Sequence, residues 1–345
     1  MEHRELGESG LKVSAVCLGT MTFGEQNSAA EAHSQLDLAF ERGVNFIDTA
    51  EMYPVPARAP TSGASESIVG AWLRNKPRDK ILVATKAAGP ARNLSWIRGG
   101  PLAFDAANLR AALEASLRRL GTDYVDLYQL HWPARNQPMF GQWQYDPARE
   151  RPATPIREQL EALATLVDEG KVRAIGLSNE HPWGIAEFVR LAGELGLPRV
   201  VSVQNAYSLL NRTYEFGLAE LCHRERISLL AYSPLAFGHL SAKYLADADA
   251  KGRINLFKDF GIRYTKPNVG EAAQAYAALA RQSGVSPATL ALAFVYRRWF
   301  VASTIIGATS MAQLAENLEA WDWRPEPAVL EEIERIHLRF PNPAP

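Results

Sequence analysis

Cysteine is nearly absent: two in 345 residues, Cys17 and Cys222, each inside an apolar stretch. This excludes a disulfide framework and suits a reducing compartment, so the expected location is the cytoplasm. No apolar run approaches the roughly 18 residues of a membrane span. The opening MEHRELGESGLKVS has no apolar core, so no secretory leader is expected. Runs of like charge are missing too. With Lys plus Arg at 37 and Asp plus Glu at 38, nothing marks a footprint for nucleic acid or an anionic membrane, and a neutral or small ligand is expected instead. His and carboxylates do not cluster at ligand spacing, so no metal is expected, and a barrel lyase or metal hydrolase loses its basis. Finally, the first strand is followed by GTMTFG, not GxGxxG. A doubly wound dinucleotide fold is thereby disfavoured, and any dinucleotide must be held in another way.

What is present is a globular pattern, 47% hydrophobic and 22% charged. A chain this long can bury roughly three quarters of the surface its unfolded form exposes. Arg4–Leu6 and Leu11–Val13, separated by Gly7 and Ser9-Gly10, read as a hairpin. Ala15–Leu18 reads as a buried strand ending at Gly19-Thr20-Met21, where glycine lets backbone approach a ligand closely. Helical spacing follows over 29–42, then the strand NFID. The alternation continues through KILVATK, a helix after an Asn108 cap, YVDLYQLH, a helix after Thr154-Pro155, and strands ending GLSNE, SVQN, AYSP and IIGATS. Two segments have no period, Pro133–Pro152 and Leu235–Lys266, and read as loops on the face where strands end. Eight strand–helix pairs without a compositional break predict one domain over 1–345, a (β/α)₈ barrel with an N-terminal hairpin and an extra C-terminal helix near Pro327–Leu338.

In such a barrel the loops after the strands converge on one face. Asp48, Lys86 and His131 close strands two, three and four, and Tyr53 lies five residues beyond Asp48. Taken singly, the lysine reads as solvated and the histidine as packed beside Trp132. Four ionisable groups on three adjacent strand ends read as an active site.

The stretches NFIDTAEMY, KILVATK, DYVDLYQLHWP, GKVRAIGLSN, AYSPL and IIGATSMAQLAEN, in this order, resemble the aldo-keto reductase superfamily over almost the whole chain. The wording EMYPVP, NAYSLLNR and a closing PAP is similar to the bacterial Tas group within it. The resemblance implies NADP(H)-dependent reduction of an aldehyde or ketone by the tetrad Asp48, Tyr53, Lys86 and His131. In that scheme Lys86 lowers the pKa of Tyr53, the proton donor, Asp48 holds Lys86, and His131 orients the carbonyl. Free tyrosine, near 10, is otherwise a weak acid at neutral pH. The resemblance also implies a cofactor track. Gly19, Thr20, Met21 and Asp48 contact it; Ser178, Asn179 and Gln204 hold the carboxamide, with Tyr232 stacked on the ring. Ser233, Pro234 and Leu235 follow the pyrophosphate, and Gly307, Thr309, Gln313, Glu316 and Asn317 the adenosine end.

One departure stands out. Many relatives carry Lys and Arg where this chain has Gly307 and Gln313, so Lys243 and Arg253 are expected to supply the cations for a 2′-phosphate, as in potassium-channel β-subunits. Those subunits also supply the rival reading, a redox-sensing regulatory module. They have asparagine at the histidine position, so His131 argues for the enzyme. Phe23, Trp96, Trp132, Phe140 and Trp143 are expected to wall an apolar substrate pocket. No arginine pair or cationic cluster in the sequence points to a phosphorylated or carboxylated substrate.

Overall fold

The structure, a computed structural model, describes residues 1–90, 94–257 and 261–345. The hairpin pairs β1 (His3–Glu5) with β2 (Lys12–Ser14). The barrel then alternates β3 (Val16–Gly19), α1 (Ala29–Glu41), β4 (Phe46–Asp48), α2 (Ala64–Leu73), β5 (Leu82–Ala87), α3 (Ala106–Leu120), β6 (Val125–Leu130) and α4 (Ile156–Asp168). Its second half is β7 (Val172–Ser178), α5 (Pro182–Leu195), β8 (Val200–Ala206), α6 (Leu218–Arg224) and β9 (Ser228–Tyr232). After β9 come the short helices α7 (Lys243–Ala246) and α8 (Arg253–Leu256), then α9 (Val269–Gln282), α10 (Pro287–Tyr296), β10 (Val301–Ile306), α11 (Met311–Glu319) and α12 (Pro327–Arg339). Strands β3 to β10 are all parallel and close on each other, β10 pairing with both β9 and β3. This is the expected eight-stranded barrel with its hairpin and C-terminal helix.

Side chains alternate across each strand, and that alternation separates an outer core from an inner one. Val16, Ile47, Val83, Tyr128, Ile175 and Leu229 face outward into the helix layer. Cys17, Phe46, Leu82, Ala84, Leu127, Ala174 and Leu230 face inward, and Leu6, Leu11 and Val13 of the hairpin pack beneath them. The hairpin therefore plugs the end of the barrel where the strands begin. Its turn is pressed close: a Cβ on Gly7, whose φ is +56°, would lie 2.5 Å from the Val201 carbonyl oxygen. Only glycine meets that conformation and that approach together.

Local details differ from the sequence reading in three places. The cap of α3 is Asp105, whose carboxylate accepts from the Asn108 N–H at 2.8 Å; Asn108 is inside the helix. An aspartate at this end meets both the open N–H groups and the helix dipole. Helix α4 starts at Ile156, with Pro155 in the cap position and no side-chain cap, and the Thr154 hydroxyl accepts from Phe104 N–H instead. The segment 235–266, expected to be irregular, carries short helical turns at Ala236–Ser241 and Ile262–Thr265 besides α7 and α8; its residues 258–260 lie outside the described residues.

Candidate active site

Asp48 is two residues beyond the inward Phe46, Lys86 two beyond Ala84, Gln204 two beyond Ser202 and Tyr232 two beyond Leu230. The same alternation that builds the inner core thus turns these polar groups into the barrel mouth. Lys86 is fully buried, and its three ammonium protons have three acceptors: Asp48 Oδ2 at 2.6 Å, the Thr49 carbonyl at 2.8 Å and Tyr53 Oη at 3.4 Å. Asp48 is held in turn, its Oδ1 accepting from Gln204 Nε2 at 2.8 Å and from Gln129 Nε2 at 3.4 Å. Its carbonyl receives Thr20 N–H and Thr20 Oγ1, each at 3.0 Å. His131 follows β6 directly, and its ring stands edge-on to Tyr53 with centroids 5.5 Å apart. The four predicted residues therefore meet at one point.

Electrostatics modify one expectation. Burial pulls Lys86 down, but Asp48 and Tyr53 outweigh it and the ammonium sits above its ordinary value. Burial pushes the Tyr53 phenol up, and although Lys86 pulls it down, Asp48 pushes it up again, so Tyr53 lies above its ordinary value and not below it. The lysine does act in the expected direction; desolvation of the phenolate is the larger effect. At neutral pH the phenol keeps its proton.

These groups form the floor of a cleft of about 1500 Å³. From the residues singled out in the sequence, Gly19, Met21, Ser178, Asn179, Gln204, Tyr232, Ser233, Pro234, Leu235, Lys243, Arg253, Gly307, Thr309, Gln313, Glu316 and Asn317 line it. A Cβ on Gly19 would come within 2.7 Å of Ile305, so glycine there keeps the floor open. Thr20 is wholly buried behind Asp48 and is not part of the lining. On the far wall, Tyr232 Oη donates to Asn179 Oδ1 at 2.6 Å, and the Asn179 amide donates to the His131 carbonyl at 2.9 Å. Ser178 Oγ donates to the Gln204 carbonyl at 2.8 Å. Past β10, Gln313 folds back to accept from Thr309 N–H at 2.9 Å, and Ser286 donates to Glu316 at 2.6 Å. Lys243 and Arg253 stand beside each other: burial and Arg253 together hold Lys243 below its ordinary value, and burial pulls Arg253 down to about 10.

The aromatic wall is only partly as expected. Trp132 and Phe140 line the cleft. Phe23 belongs to the outer core with no exposure, because its turn is tied down by the Ser65 hydroxyl bonding its carbonyl. Trp96, 38% exposed, and Trp143, 73% exposed, lie outside the cleft lining. Three features had no signal in the sequence. Gln129 completes the Asp48 contacts. Glu51, almost fully buried between Asp48 and Tyr53, pairs with Arg98 and accepts from Ala88 N–H at 2.5 Å, while Arg98 also donates to the Ala88 carbonyl at 3.1 Å. This clamp ties the loop carrying Tyr53 to the strand end carrying Lys86. And Arg149, Arg151 and Arg263 from two different loops reach the same cleft, giving the cationic set that the sequence reading did not find.

Residues 15–337 match the pattern of the Aldo/keto reductase family. The chain belongs to this family. It is 48% identical to "Protein tas" of Escherichia coli strain K12, over the full length of both chains. It is 32% identical to the "Probable voltage-gated potassium channel subunit beta" of Arabidopsis thaliana, covering 97% of this chain and 96% of that one. It is 30% identical to the "L-glyceraldehyde 3-phosphate reductase" of E. coli K12, covering 93% of this chain and 87% of the relative. Membership of this family makes the chain an oxidoreductase. Among the described residues no helix is long and apolar enough to cross a membrane, and no group of three or more His, Cys, Asp or Glu is placed to hold a metal.

Proposed function

We propose that the protein is an NADP(H)-dependent reductase of aldehydes or ketones in which Tyr53 is the general acid. The observation that carries this reading is the buried chain Asp48–Lys86–Tyr53 ending at the cleft floor beside His131. When bound, the cofactor supplies the hydride to the carbonyl carbon. The remaining task is the oxygen, which must gain a proton as negative charge develops on it. Tyr53 holds that proton at neutral pH, and the Lys86 ammonium at 3.4 Å stabilises the phenolate left behind. Asp48 keeps Lys86 charged and aimed, Gln204 and Gln129 keep Asp48 aimed, and the His131 ring flanks the site at which the carbonyl oxygen would sit.

A dinucleotide phosphate fits the groups along the cleft. Lys243 and Arg253 are crowded cations whose charged forms disfavour one another, and a phosphate dianion between them would relieve that repulsion. Ser178, Asn179, Gln204 and Tyr232 would hold the ring end, Ser233 to Leu235 the pyrophosphate, and Gly307, Thr309, Gln313, Glu316 and Asn317 the adenosine. Phosphate recognition after the last strands also agrees with where barrels commonly place it. Buried thiols at Cys17 and Cys222 support a cytoplasmic setting. The test is the decline of nicotinamide absorbance with a panel of aldehydes, NADPH against NADH. Turnover preferring NADPH and lost in Tyr53→Phe supports the reading, whereas tight NADPH binding with no turnover on any carbonyl would overturn it in favour of a regulatory module.

A further inference from the structure

Arg263 lies in the Ile262–Thr265 turn, where the two irregular loops of the active face meet: a Cβ on Gly141 would come within 3.1 Å of the Arg263 Cα and Cβ. Its residue is 8% exposed, lines the cleft, and directs its guanidinium to within 6.0 Å of the Phe140 ring centroid. Its polar neighbours are the phenols of Tyr232 and Tyr264, and among the described residues it forms no ion pair with a carboxylate. Lys266 is close enough to feel its charge as well. A guanidinium taken out of water without a counter-anion is costly, and arginine cannot escape by losing its proton. The acids on the cleft wall are committed elsewhere: Glu25 to Arg58, Asp48 to Lys86 and Glu316 to Ser286. Arg149, paired with Asp146 at 3.3 Å, and Arg151 line the same cleft.

The position is what gives this charge a use. Tyr232 connects Arg263 through Asn179 to the His131 carbonyl, and Gly141 abuts it, so the guanidinium belongs to the wall that meets the 133–152 loop, in the same cleft as Asp48, Tyr53 and His131. Resting on the reductase reading above, we infer that the substrate is a carbonyl compound bearing a carboxylate or phosphate, whose anionic end is gripped by Arg263 while its carbonyl reaches Tyr53. A planar fork of donors suits either anion bidentately, and Arg149 and Arg151 would raise the local concentration of anions at the entrance.

Matched substrates test this. The ratio of kcat/KM for succinic semialdehyde over butanal, and for glyceraldehyde 3-phosphate over glyceraldehyde, should exceed one in the wild type, and whichever pair shows it identifies the anion. Arg263→Gln should lower that ratio on the order of 10- to 100-fold, mainly through KM, as expected for losing a charge-assisted contact, and Arg263→Lys should restore part of it. A wild-type ratio of one or less for both pairs, or a ratio unchanged in Arg263→Gln, overturns the inference and leaves the reductase reading standing. So does weaker NADPH binding in Arg263→Gln with the ratio unchanged, which would give the guanidinium to the cofactor. Failure on every aldehyde would instead sink the reductase reading. The anion grip is then read by calorimetry on the NADPH complex, succinate against succinamide: a succinate signal lost in Arg263→Gln supports it, and equal signals overturn it.

Discussion

The two ends of the barrel are built from the same strands and the same inward-facing positions, yet they are opposite environments. Where the strands begin, Phe46, Leu82, Leu127 and Leu230 interdigitate above the hairpin and nothing polar is asked of them. Two residues further along, or four in the strand of Leu82, the inward positions are Asp48, Lys86, Gln129 and Tyr232. Strand parity therefore gives a side chain its address inside the barrel, and its place along the strand decides whether that address serves stability or chemistry. Burying charge at the mouth is tolerable only because it is fully met: all three Lys86 protons have acceptors, and both Asp48 oxygens are engaged.

Two substitutions on neighbouring turns of the chain put this division to its hardest test. Tyr53→Phe removes one hydroxyl and the transferable proton, and is expected to lower kcat/KM by about 10²- to 10⁴-fold, while the thermal midpoint moves little. Phe46→Ala empties the inner core, and is expected to cost about 3–5 kcal/mol of stability while the folded fraction keeps turning over. A Phe46 variant that stays folded but inactive would erase the boundary between the two ends. The pH profile sharpens the same point. Because the Tyr53 phenol lies above its ordinary value, the active protonated form persists through neutral pH, and activity is lost only as pH rises through that raised value. Reduction rates measured from pH 6 upward should stay level until beyond about 10; a fall centred near 8 would mean that another group, or a phenol made more acidic by the bound cofactor, controls the step.

The Glu51–Arg98 pair belongs to neither end cleanly, since it is buried but touches no reacting atom. Glu51→Gln keeps the shape and removes the charge that Arg98 and Ala88 N–H both use. Its expected cost is about 1.5–3 kcal/mol in urea unfolding, with kcat reduced less than in Tyr53→Phe. A loss of activity equal to that of Tyr53→Phe, at unchanged stability, would move Glu51 into the chemistry.

These cases also show what the chain discloses before folding. Asp48, Lys86 and His131 were legible because each ends an apolar run, and the barrel rule then brings strand ends together. The eight-fold alternation was legible for the same reason, being a local pattern repeated. Partners joined only by closure were not. Nothing beside Glu51 announces Arg98, some 47 positions later, as its counter-charge, and Arg263 shares no motif with Arg149 or Arg151. The sign of the Tyr53 shift was missed because a sequence shows the neighbouring lysine but not the depth of burial that outweighs it. Asp105 and Asn108 are both good caps on paper, and only the backbone geometry chooses between them.

Trp143 gives the smallest effect and the cleanest control. The sequence places it among five aromatic residues on the active face, and loop aromatics are natural candidates for a substrate wall. In the folded chain its side of the 133–152 loop turns outward, leaving the residue 73% exposed, whereas Phe140, three positions earlier, has a φ of +54° and lines the cleft beside Arg263. An exposed side chain away from structural features contributes within about 0.5 kcal/mol, so Trp143→Ala should leave stability and KM unchanged for every aldehyde, while Phe140→Ala raises KM. If Trp143→Ala raised KM as much as Phe140→Ala did, the loop would have to fold inward over bound substrate, and the division between a fixed floor and an outward rim would hold only for the empty cleft.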